Sequence, residues 1–175
     1  MALKLDYYGQ NDGTTVPDVS LTGDPGTDQA VLTAAGFLGG RIMCIVTLAQ
    51  NQPQVAGSPV IAPCDADLTD STYNSGIPYA TLLNGPGEFA GAIGPAGSRK
   101  APVVRALWRG NVNNEAYDAN ANFLQGGYVY CGGHTNSNVG KYTSSALKGS
   151  ASPAVGICFH VPSASEPWLG VASLL

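Results

Sequence analysis

Turn signals cut this chain into short apolar runs, and no run between them holds a helical period long enough for a sustained helix. Asn11-Asp12-Gly13, Gly23-Asp24-Pro25-Gly26, Asn84-Gly85-Pro86-Gly87 and Gly94-Pro95-Ala96-Gly97 are the clearest signals. Glycine supplies positive φ at such places, and proline presets the turn angle. Between the turns apolar residues recur with period two, as in strands, whose successive side chains point to opposite faces. The 23 glycines and 12 prolines in 175 residues exceed the usual share of about 12%. A hydrophobic content of 44% is nevertheless too high for disorder. The expectation is an all-β fold, a small β-barrel or β-sandwich of about eight short strands. Residues 1–26, polar and turn-rich, read as an extended N-terminal arm, and 27–175 as a single β-rich domain.

Residues 100–112 (KAPVVRALWRGNV) read as one strand entered through a proline. Val104, Ala106, Trp108 and Val112 would share an apolar face, and Val103, Arg105, Leu107 and Arg109 the other, with half of the arginines. In 41–50, Ile42, Cys44, Val46 and Leu48 alternate with Met43, Ile45, Thr47 and Ala49. A strand apolar on both faces is central or sandwiched. Further strands are expected at 58–62, 77–83, 88–93, 126–133, 139–143, 153–161 and 168–175. In 153–161, Val155, Ile157, Phe159 and Val161 would face one side, and Gly156, Cys158 and His160 the other. Residues 27–38 fit a short helix capped by Thr27 or a strand approach, and both readings stay open.

Charged residues make up 11% of the chain, against about 25% in ordinary soluble domains. Such a chain covers itself with small polar residues or buries surface against other subunits. There is no basic cluster, so no nucleic-acid partner is expected. No apolar run approaches the ~18–20 residues that span a bilayer, and the start has no apolar signal region. Neither a membrane partner nor secretion is expected. The four cysteines, Cys44, Cys64, Cys131 and Cys158, read first as small buried hydrophobes, with disulfides as the alternative.

Chemistry is sparsely represented. No Gly-x-Ser-x-Gly and no phosphate-cradling glycine loop occurs, and the two histidines have no evident nucleophile. No catalytic residue and no cofactor is expected. Cys131, His134, Cys158 and His160 offer a weak alternative as tetrahedral zinc ligands, although their spacing fits no standard site. Asp65, Asp67 and Asp70 resemble a calcium loop only loosely and read as solvated acids. Candidates for intermolecular contact are Tyr7 and Tyr8 in the arm, Arg105 and Arg109, exposed Trp168, and the apolar end Leu174-Leu175.

The stretches 123–133 (FLQGGYVYCGG) and 153–160 (PAVGICFH), with a closing Trp168-Leu169-Gly170-Val171, resemble the structural proteins of tailed-bacteriophage heads. The likeness is to capsid decoration (cement) proteins and extends over 77–175. It implies a non-enzymatic protein, made in the host cytoplasm and placed on the virion surface. Its partners would be the major capsid protein and itself, as a homotrimer. A tail-tube or other virion β component and a carbohydrate-binding module are the alternatives.

Overall fold

The computed structural model describes residues 3–8, 18–21, 36–45, 60–67, 76–82, 90–93, 99–104 and 108–175. They form β1 (Leu3–Tyr8), β2 (Asp18–Leu21), β3 (Ile42–Ile45), β4 (Val60–Pro63), β5 (Pro78–Leu82), β6 (Ala90–Ile93) and β7 (Arg99–Val104). These are followed by β8 (Trp108–Val112), β9 (Tyr128–Cys131), β10 (Tyr142–Thr143), β11 (Ala154–His160) and β12 (Leu169–Ser173). A 3-10 turn at His134–Asn136 is the one helical element among the described residues. The protein is all-β.

One six-stranded sheet, in the order β1-β8-β12-β11-β9-β10, is antiparallel throughout. The other has the order β2-β4-β3-β5-β7-β6. In it β2 pairs in parallel with β4 and also antiparallel with β7, so β2, β4, β3, β5 and β7 close a ring. Two parts of the expected arm thus enter the sheets. β1 lies along β8, with Leu3 opposite Val112 and Tyr8 opposite Trp108. The remainder of 1–26, residues 27–35 and residues 46–50 lie outside the described residues.

The larger core lies between the sheets. Ile42, Cys44 and Ala62 reach it from the ring, and Val112, Val129, Val155, Leu169 and Val171 from the open sheet. A smaller core on the opposite face of the ring strands holds Phe37, Met43, Ile61, Ala80, Leu82 and Val103. This explains the two-faced apolar pattern at 41–50: Ile42 and Cys44 serve one core and Met43 the other. The strand itself ends at Ile45, which is exposed.

Residues 100–112 do not form one strand. β7 ends in the ring and β8 begins in the open sheet, so the chain changes sheets between them. Trp108 and Val112 face the core and Arg109 faces solvent, as their alternation predicts. Val103, expected on the arginine face, is instead fully buried in the smaller core, and Val104 in the larger. A strand end lined by apolar side chains on both sides leaves no solvent face.

β11 also departs from strict alternation. Its register against β9 shifts between Ala154 and Gly156. A bulge adds one residue and exchanges the faces beyond it. Val155 and Cys158 therefore point into the core, while Ile157 and Phe159 remain only half-buried.

Candidate functional site

A polar cluster lies where three loops meet. Beyond β4, Cys64 N–H donates to the Ile42 carbonyl (2.9 Å), and Ala66 is inserted into the core. Ala66 N–H donates to the Gly132 carbonyl (3.3 Å), and Ala151 N–H to the Ala66 carbonyl (2.8 Å). With Ala66 fixed, Asp65 and Asp67 flank it and turn toward the loop after β9 and the loop before β11. Asp65 Oδ1 accepts from His134 N–H (3.0 Å) and Asp67 N–H (3.2 Å), while Asp65 Oδ2 lies 2.9 Å from His134 Nδ1. Asp67 Oδ2 accepts from Thr135 N–H (2.8 Å), and Asp67 Oδ1 from Ser150 N–H (2.8 Å).

Asp65, Asp67 and His134 are the only group of three such side chains among the described residues whose ligand atoms converge, all within 4.8 Å. Three of the four carboxylate oxygens accept from backbone N–H groups, and the fourth, Asp65 Oδ2, lies against His134 Nδ1. A cation bound there would have to share these oxygens with the N–H donors already on them. The cluster acts as a clamp that ties three loops together. Burial pushes the Asp67 carboxyl up. The Ser150 and Thr135 N–H groups, the Thr135 hydroxyl and the His134 ring outweigh it and hold the carboxyl below its ordinary 3.8. The solvated-acid reading of Asp65 and Asp67 is thereby corrected: both side chains are largely withdrawn from water. Asp70 lies outside the described residues. No sequence periodicity links Asp65 to a histidine 69 residues away. The available signal was Gly132-Gly133, because adjacent glycines mark a close backbone approach. A Cβ on Gly133 would collide with the Asp67 carboxylate.

The four residues of the zinc alternative do not converge. The Cys131 thiol donates to the Cys64 carbonyl (3.5 Å), and the Cys158 thiol to the His160 carbonyl (3.3 Å). His134 is held by Asp65, and His160 Nε2 lies 3.3 Å from Glu166 Oε2. All four cysteines are buried free thiols. The Cys64 thiol is pushed far up, first by its hydrogen bond with the Cys131 thiol and further by burial, against an opposing hydrogen bond with Cys44. Burial also raises the Cys158 thiol.

The contact candidates are scattered. Tyr7 and Tyr8 lie on edge strand β1, opposite Arg109 and Trp108. Arg109 is exposed, with its guanidinium carbon 4.4 Å from the centre of the Phe159 ring. Trp168 and Leu174 are exposed, whereas Leu175 packs against the larger core. Arg105 lies outside the described residues. No helix among the described residues is long and apolar enough to cross a membrane. No protein-family model, curated protein or solved structure matches the chain.

Proposed function

We propose that this chain is a non-enzymatic structural protein of a tailed-phage virion. In this reading it is a decoration (cement) protein, made in the host cytoplasm, that binds the outer face of the major capsid protein lattice and stabilises the head. It acts there as a small closed oligomer, a homotrimer. The observation that supports this reading best is a set of exposed large apolar side chains in a chain with few charges. Ile77 is 67%, Leu124 68% and Tyr128 60% exposed, and only 11% of residues are charged. Such surface becomes hidden when a protein joins an assembly. The two-core β body supplies the stiffness that a lattice clamp requires.

The test is the solution mass by light scattering, with micrographs of the same sample, followed by addition to bare heads assembled from the accompanying major capsid protein. A monomer or small closed oligomer that saturates the heads supports the proposal. Heads left undecorated at micromolar protein overturn it. Spontaneous rings or tubes also overturn it, in favour of a tail component.

A further inference from the structure

The outer face of the open sheet carries a cleft of about 500 Å³, lined by Asn111, Phe159, His160, Ser165, Glu166 and Trp168. We infer that it binds a neutral saccharide. This inference stands apart from the virion role and does not rest on it.

The cleft follows from the register of three neighbouring strands. Asn111 on β8 faces Gly170 on β12, and Gly170 in turn faces His160 on β11. A Cβ on Gly170 would lie 2.7 Å from the Phe159 ring and 2.7 Å from the His160 Cβ. Only glycine leaves room for these two side chains to lie over β12. The Phe159 ring thus reaches β8, where the Arg109 guanidinium covers it. The far wall is the β11–β12 loop, closed on itself by Ser163 N–H to the Glu166 carbonyl (2.9 Å) and Glu166 N–H to Ser163 Oγ (3.1 Å). That loop presents Glu166 and Trp168, and Trp168 is 38% exposed.

The chemistry selects the ligand. A pyranose has an apolar C–H face and a rim of hydroxyls, so it requires an aromatic surface beside planar hydrogen-bonding groups. Trp168 supplies the aromatic surface, beside the edge of Phe159, and Asn111, His160 and Glu166 the polar groups. Within the cleft the Glu166 carboxylate is set against His160, and Arg109 is engaged with Phe159. Among the described lining residues Glu166 carries the fixed charge, and a carboxylate there disfavours an anionic sugar. The volume lies in the range of about 300–1,000 Å³ typical of small-ligand sites.

The test applies the isolated full chain to an array of neutral and sialylated oligosaccharides, then titrates the best neutral binder by calorimetry. Trp168→Ala and Asn111→Ala should each weaken binding at least tenfold with an unchanged melting temperature. Leu124→Asp, outside the cleft, should leave binding intact. Absence of neutral-glycan binding at millimolar sugar overturns the inference, as does full affinity in Trp168→Ala. No capsid enters this measurement, so its failure leaves head binding to be judged separately.

Discussion

The buried hydrogen bond between Tyr142 and Thr81 joins the two sheets and offers a sharp test of how they are held together. Tyr142 on β10 belongs to the open sheet and Thr81 on β5 to the ring. Their hydroxyls are 2.8 Å apart, and both residues are fully buried. Tyr142→Phe removes one partner and leaves the Thr81 hydroxyl without water, a cost of about 1–3 kcal/mol. Thr81→Val leaves the phenol unpartnered, and a similar cost of about 1–3 kcal/mol applies. Removing both groups leaves no orphan, so the double variant should lose less than the sum of the singles by about 1–2 kcal/mol. For a chain of this length each kcal/mol corresponds to roughly 2–4 °C in melting temperature. The assay is urea unfolding of all four proteins, requiring equal m-values so that midpoints report stability. Additivity within about 0.5 kcal/mol would refute the cross-sheet bond. So would a Tyr142→Phe protein as stable as the parent.

Other outcomes follow from the clamp and the thiols. Because the folded state holds Asp67 below its ordinary 3.8, its contribution is complete above that pH and is lost as pH falls below it. Asp67→Ala should therefore flatten the acid limb of the stability-versus-pH curve. It should cost no more than about 1–3 kcal/mol at neutral pH, because Thr135 and Ser150 are exposed and water can replace the lost acceptor. Gly133→Ala places a methyl group against the Asp67 carboxylate and 2.8 Å from its backbone nitrogen, an overpacking cost of about 1–3 kcal/mol. The backbone there is extended (φ −136°), so steric room rather than torsional strain decides the loss, and Asp67→Ala should partly rescue it in thermal melts. At the alkaline end, Cys64 and Tyr142 are raised above their ordinary 9.0 and 10.0. Their contribution is complete below those values and lost as pH rises past them, which alkaline unfolding monitored by tyrosine absorbance would show. The four thiols should react with a chromogenic disulfide reagent only at the rate of unfolding, and prompt labelling of native protein would contradict their burial.

The all-β class was legible because alternation and turn chemistry are local. Val129 and Cys131 face the core while Tyr128 and Tyr130 face outward, as their spacing predicts. Met43 and Ile42 signalled apolar surroundings on both sides before either core was visible. Local pattern also misled. At 100–112 the alternation continues across a change of sheet, and at 153–161 a bulge reverses the faces without leaving a mark in the composition.

Residue chemistry by itself therefore determined that this chain makes short strands and buries its cysteines, and which local segments are two-faced. Hydrophobic period and turn propensity act over a few residues, and those residues are adjacent in the sequence. Only the tertiary structure decided that β2 closes a ring, that Asp65 and Asp67 clamp the loop of His134, and that Asn111, Phe159 and Trp168 border one cleft. Those partners lie tens of residues apart, and they meet because strand register and the crossing between sheets bring them together. Both are set by the packing of the whole core.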